Sequence, residues 1–289
     1  MVEIDFNVSC FGEYDDQEIV DQVLTNYELN LVDETSDDSL LGICLILISN
    51  AKTQPSDSPL EIDERIVGGS ALQVKYRKFQ VAVLMKLFMC GGTLISLEWV
   101  LTAAHCVINV YKEDTTVRAG SNNWDYGGVL RWAKKLIPHF GFETGTLNND
   151  IALILLKSPF MKSNYIGPIA IAQHLPASGS KLQVSGFGQT ATESDLAPYL
   201  LTVWVDMISF SKCQEFYNNG LTDTQFCAGV PEGGKGACYG DSGGPLTYNG
   251  YLIGLVSWGH DCGDKDYPSV FTRVPLYDTW ISNTMRDNI

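Results

Sequence analysis

The stretch ACYGDSGGP, Ala237 to Pro245, decides how the rest of the chain is read. Three glycines, Gly240, Gly243 and Gly244, surround a single serine, Ser242. Glycine loses more backbone freedom on folding than any other residue, so such a loop is costly to order. That cost points to a role for Ser242 rather than to an ordinary turn. Two other stretches hold side chains that suit a serine. LTAAHC places His105 after an apolar run and beside Cys106, and NNDIALI places Asp150 at the entrance to another apolar run. Taken singly, a histidine at a strand end is usually structural and an aspartate before a strand is usually a turn residue.

Working outward, short apolar or alternating runs recur through the last three quarters of the chain. FQVAVLM, GGTLISLEWVLTAAH, NDIALILL, KLQVSGFG, YLIGLVSWG and SVFTRV are separated by Gly, Asn, Asp, Pro and Ser, the pattern of strands between turns. The one helical stripe of useful length is at the C-terminus. Leu276, Trp280, Ile281 and Met285 follow Pro275 there and predict one closing amphipathic helix. Many strands and a terminal helix make the fold class all-β, a sandwich or a pair of barrels.

Charge divides the chain at Arg65. Residues 1–65 hold 16 Asp and Glu against two bases, Lys52 and Arg65, whereas 66–289 is nearly balanced at 18 acids and 17 bases. Of the formal net charge of −15, the leader therefore carries −14. No basic run or face points to nucleic acid as a partner. Within the leader, LLGICLILIS (40–49) is an uncharged run too short to span a bilayer, which takes about 20 apolar residues. It matches the apolar part of a secretory signal, with cleavage near Asn50 or Ala51. The strongly acidic 39-residue segment before it departs from that pattern, and a signal anchor is the alternative. The remaining 224 residues hold six cysteines without a CxxC pair or a histidine cluster, which favours disulfides and an oxidising compartment. Six cysteines allow 15 pairings, and spacing does not choose among them.

With these residues in view, the chain from Ile66 onward resembles the chymotrypsin–trypsin family of serine proteases. The resemblance implies two six-stranded antiparallel Greek-key β-barrels, a C-terminal helix, and an active site in the cleft between the barrels. It implies that His105, Asp150 and Ser242 converge there as a catalytic triad, and that the backbone N–H groups of Gly240 and Ser242 form the oxyanion hole. It also implies disulfides Cys90–Cys106, Cys213–Cys227 and Cys238–Cys262, leaving Cys10 and Cys44 of the leader without counterparts. Ser257, Trp258 and Gly259 would pair with substrate as an added strand. Gly236, Gly259 and Ser269 would shape the primary pocket. Members that cleave after Arg or Lys carry a carboxylate at its floor, where Gly236 offers none, so large apolar or aromatic residues are expected. No cofactor is implied. Ser121 stands where calcium-binding members carry a carboxylate, so no metal is expected. Phe187 stands where the family usually has Trp. His139, His174 and His260 read as surface histidines.

The resemblance also explains ERIVGGS, Glu64 to Ser70, which by itself reads as a Gly-Gly turn before a strand. Cleavage between Arg65 and Ile66 would free an α-ammonium to pair with Asp241, making 1–65 a leader ending in an activation peptide and 66–289 the peptidase domain. The expected protein is a secreted, monomeric zymogen. Its expected partners are protein or peptide substrates, protein inhibitors of proteases and a separate Arg-specific activating protease. The rival reading, a protease-like binding protein without catalysis, would show a missing triad member or oxyanion glycine, and none is missing.

Overall fold

The computed structural model describes residues 69–191 and 194–288. The Arg65–Ile66 bond, the run 40–49 and Cys10 and Cys44 lie outside the described residues. The first barrel is built from β2 (Gln80–Met85), β3 (Met89–Leu94), β4 (Trp99–Thr102), β5 (Thr115–Ala119), β6 (Val129–Pro138) and β7 (Ala152–Leu156). Its strand order is β2-β3-β4-β7-β6-β5, closed by antiparallel pairing of β5 with β2, with Val83 opposite Val117. Alternation explains the strands: in β5, Thr115, Val117 and Ala119 are buried while Thr116 and Arg118 are only half-buried. In β6 a register shift between Ala133 and Lys135 breaks the alternation.

The second barrel contains β8 (Lys181–Gly186), β9 (Leu201–Met207), β10 (Gln225–Gly229), β11 (Pro245–Tyr248), β12 (Tyr251–Trp258) and β13 (Ser269–Arg273). Its order is β9-β10-β13-β12-β11-β8, closed by β8 against β9. A short β1 (Ser70–Ala71) adds to the start of β9. The architecture is the pair of six-stranded antiparallel barrels expected from the sequence.

Each barrel has its own apolar interior. Val81, Val83, Val117 and Ile154 fill the first, and Leu182, Val184, Val203, Phe226 and Phe271 fill the second. A third cluster joins them: Trp99, Leu101, Leu153 and Leu155 of the first barrel pack with Leu252 and Leu255 of the second and with Ile281. Each such side chain stabilises the fold by about 1.5–3 kcal/mol on burial. The interface between the barrels is therefore a core in its own right, and a site on that seam is held from both sides.

The helices are short: α1 (Ala104–Val107), α2 (Phe210–Phe216) and α3 (Asp278–Asp287). The second was not expected. Only Cys213 of it is buried, so it has too little apolar face to show in sequence, although Ser209 caps it by accepting from the Lys212 N–H at 3.3 Å. The C-terminal helix buries Ile281, with Trp280 and Met285 packed alongside, but Leu276 lies before it in a 3₁₀ turn and is 51 % exposed. Among the described residues no helix is long and apolar enough to cross a membrane.

Candidate active site

The loop around Ser242 needs its glycines. Gly240 and Gly243 have φ of +93° and +77°, a region that disfavours side chains. A Cβ on Gly243 would sit 2.1 Å from Thr102 Oγ1, so the loop lies directly on the end of β4. Its backbone is fixed on both sides. The Gly243 N–H donates to the Val256 carbonyl at 2.7 Å, and the Gly91 N–H of β3 donates to the Ser242 carbonyl at 2.8 Å. The Cys238–Cys262 disulfide ties the start of the loop to the segment after β12.

His105 lies on α1 and Asp150 just before β7. The His105 Nδ1 is 2.8 Å from Asp150 Oδ2, and the His105 backbone N–H donates to Asp150 Oδ1 at 2.9 Å. A carboxylate only accepts, so the ring proton sits on Nδ1 and Nε2 is left with its lone pair free for a proton. Asp150 is buried, and the second barrel holds it too. Ser257 Oγ donates to Asp150 Oδ2 at 2.6 Å, and Thr272 Oγ1 donates to the Asp150 carbonyl at 2.7 Å. The preceding Asn149 takes a left-handed φ of +54°. That strain is held by its amide donating to the Gly141 carbonyl at 2.8 Å and by Tyr277 Oη donating to Asn149 Oδ1 at 2.9 Å. Neither Asn149 nor the Ser257–Asp150 bond was expected from sequence.

Loop and ring share a neighbour. The Cys106 sulphur lies 3.7 Å from His105 Nε2 and 3.7 Å from the Ser242 carbonyl oxygen. Cys90, His105 and Cys106 cluster tightly enough to suggest a metal site, but the two sulphurs are bonded to each other at 2.05 Å and offer no thiolate. The disulfides Cys90–Cys106, Cys213–Cys227 and Cys238–Cys262 follow the pairing the resemblance implies.

Asp241 is wholly buried beneath the serine loop. Its Oδ1 accepts from the Gly188 N–H at 2.8 Å and its Oδ2 from the Cys238 N–H at 3.0 Å. Gly186 and Gly188 form the cradle, and a Cβ on either would overlap the carboxylate, at 2.0 Å from Oδ1 and 2.5 Å from Cγ respectively. Burial pushes the carboxyl up to about 6 against the pull of the two N–H donors. Among the described residues no cation pairs with it.

A cavity of about 200 Å³ opens beside Ser242. Ser257, Trp258, Gly259 and Ser269 line it, while Gly236 stands behind the wall, where a Cβ would meet Ser269 Oγ at 3.1 Å. His260, read from the sequence as a surface histidine, and Asp261, which the sequence did not point to, lie on its lining. Trp258 packs edge-on against Tyr217, 4.8 Å between centroids, and the Tyr217 hydroxyl donates to the Pro268 carbonyl at 2.6 Å. Burial raises the Tyr217 phenol well above its usual range, which keeps it a donor at all working pH values.

The chain's sequence from 66 to 281 matches the trypsin family model. It is 38% identical to cationic trypsin-3 of Rattus norvegicus over 250 residues, covering 85% of this chain and 98% of the relative. It is also 38% identical to trypsin of Sus scrofa over 237 residues, covering 80% and 100%. The chain belongs to the trypsin family. It is a serine endopeptidase, a hydrolase of peptide bonds.

Against the trypsin pattern, two departures have physical accounts. Phe187 is buried against Met89 and Leu200, so an aromatic ring still fills the place. In the loop that begins at Ser121, the Arg118 guanidinium donates to the carbonyls of Trp124 (3.0 Å), Asp125 (2.8 Å) and Gly127, so a side-chain cation gathers these oxygens. His174 and His260 are exposed, but His139 is not a plain surface residue. Its ring packs on Phe140, Tyr277 and Trp280, and burial lowers its pKa.

Proposed function

We propose that this trypsin-family endopeptidase works through Ser242, His105 and Asp150 and is made as a secreted zymogen activated by cleavage between Arg65 and Ile66. The observation that carries the reading is the His105 Nδ1–Asp150 Oδ2 bond of 2.8 Å, which leaves Nε2 as the base. Ser242 Oγ attacks the scissile carbonyl while Nε2 takes its proton. Asp150 fixes the ring tautomer and stabilises the imidazolium. The N–H groups of Gly240 and Ser242 receive the oxyanion. The imidazolium then protonates the leaving amine, and water enters by the reverse steps to free the acyl group.

The cradle of Gly186 and Gly188 supports the switch. A buried carboxylate without a cation is costly, and the α-ammonium of Ile66 supplies one after cleavage. The primary pocket favours large apolar residues. Gly236 brings no carboxylate to the floor, so a guanidinium would meet no counter-charge there. The Ser269 hydroxyl narrows the base, which favours Leu, Met or Phe over Trp. The enzyme therefore does not cleave its own Arg65 efficiently, and a separate Arg-specific protease activates it.

The test uses the chain cleaved after Arg65. A phosphonate inhibitor should label Ser242 stoichiometrically, and kcat/KM on matched substrates should rank Phe and Leu above Ala, Lys and Arg. Folded protein that resists labelling overturns the triad, and a preference for Arg or Lys overturns the pocket.

A further inference from the structure

The outer face of the first barrel carries a cationic and aromatic surface that catalysis does not use. β6 and the segment after β7 meet there. The Lys157 N–H donates to the Trp132 carbonyl at 2.8 Å, and Lys157 Nζ stands 5.7 Å from the centroid of the Trp132 ring. Arg131 bridges the same two segments, with its Nε donating to the Pro159 carbonyl at 3.2 Å and its guanidinium 5.4 Å from the Phe160 centroid.

Residues 129–137 and 157–163 hold five cations and no carboxylate, in a peptidase domain that has 18 acids and 17 bases in all. Lys135 turns away to Asn288 Oδ1 at 2.9 Å. Lys134, Lys157 and Lys162 are exposed, and no carboxylate among the described residues forms an ion pair with them. The acids on flanking segments are Glu98, Glu113 and Asp114, and Lys112 already engages Glu113 at 3.8 Å. Between the cations stand exposed apolar side chains: Leu130 at 44 %, Trp132 at 52 % and Met161 at 81 %.

We propose that this face is a docking surface for an acidic segment of a partner protein that also carries aromatic or aliphatic side chains. Like charges left unpaired on one face attract a partner of opposite sign and raise its encounter rate. The interleaved apolar side chains distinguish a peptide from a bare polyanion, because only a peptide brings apolar groups to cover Trp132 and Met161. Asp150 and Lys157 lie at opposite ends of β7, roughly 23 Å apart at about 3.3 Å per extended residue. A partner held here therefore does not touch the catalytic groups, and the proposal is independent of how Ser242 acts.

The experiment titrates the full chain, carrying Ser242→Ala to prevent cleavage, with a fluorescein-labelled peptide of Glu, Asp and Phe, read by anisotropy. The comparison probes are the same peptide with Gln and Asn in place of its acids, and a heparin oligosaccharide. The acidic peptide should bind and should be released by added salt. Lys134→Glu with Lys157→Glu should weaken it by roughly tenfold, the sum of several surface ion pairs. Trp132→Ala should weaken it several-fold while heparin binding stays unchanged. All variants should melt at the parent temperature, and any that does not is replaced by Lys162→Glu or Met161→Ala. Equal binding of the Gln and Asn peptide, or no binding of the acidic one, overturns the proposal. Binding that falls with the lysines but ignores Trp132, matched by heparin, also overturns it in favour of a simple polyanion surface.

Discussion

Asp241→Asn should act with different force before and after cleavage at Arg65. In the uncleaved chain the carboxyl is pushed up by burial to about 6, from an ordinary value near 4. Holding it ionised at neutral pH therefore costs roughly 3 kcal/mol at about 1.4 kcal/mol per unit. Asparagine is isosteric and removes that cost. It also loses one of the two bonds from Gly188 and Cys238, because its NH₂ cannot accept, at about 1.5–3 kcal/mol for a charge-assisted bond. The two effects nearly cancel, so the precursor's stability should change by about 1 kcal/mol or less. In the cleaved chain, on the proposed pairing of Ile66 with Asp241, the same substitution would break a buried ion pair, for roughly 3–5 kcal/mol. That corresponds to a fall in kcat/KM of roughly 10²-fold to a few thousand-fold, at about 1.4 kcal/mol per decade. Urea unfolding of both forms at neutral pH, with kcat/KM of the cleaved form on a small peptide amide, measures the contrast. The pH profile adds a check of sign. The proposed pairing would raise the α-ammonium of Ile66 above its ordinary range of about 7.7–8.0. The active state is thus fully present below that range and lost as pH rises through the raised value. Equal destabilisation of both forms, or no alkaline loss that Asp241→Asn removes, would refute the reasoning.

Ser257→Ala removes the 2.6 Å bond to Asp150, so kcat should fall about tenfold with KM little changed, read from steady-state kinetics; a bond to a buried charge is worth about 1.5–3 kcal/mol and part of it is felt only in the transition state. Arg118→Gln releases the carbonyls of Trp124, Asp125 and Gly127. Most of that guanidinium is solvated, so the loss should be about 1 kcal/mol, a drop of about 2–4 °C in Tm by calorimetry with kcat/KM unchanged.

The strands that were legible in the sequence are those whose buried residues run together. Val81 to Val83, Trp99 to Leu101 and Ala152 to Leu156 are buried almost without interruption. β6 hides its signal, because Leu130, Trp132 and Lys134 all face out and the shift at Ala133 resets the alternation. β9 places an exposed Trp204 among its buried residues, so apolar character there does not report burial. In α2 the fold depends on a cysteine and a cap rather than on an apolar stripe. At the C-terminus Pro275 enforces a 3₁₀ turn before the helix, which leaves Leu276 outside it.

The site was legible where its chemistry is local and hidden where it depends on register. Ser242 stands out because glycines crowd it within a few residues. Nothing local links His105 to Asp150 across 45 positions. Their meeting follows from β4 pairing antiparallel with β7, Thr102 opposite Ala152. Chain leaving β4 and chain entering β7 then start side by side, so the third residue after Thr102 and the second before Ala152 fall within hydrogen-bonding reach. A slip of one residue in that pairing would move every inward side chain of β7 to the other face. Leu153 and Leu155 would leave the cluster that joins the barrels, and Ile154 would leave the interior of the first. The cores that hold the barrels together thus also fix the distance between His105 and Asp150. Asn149, the bond from Ser257 to Asp150 and the glycines at 186 and 188 escaped the sequence for the same reason. Each acts on a residue that only the folded register brings to it.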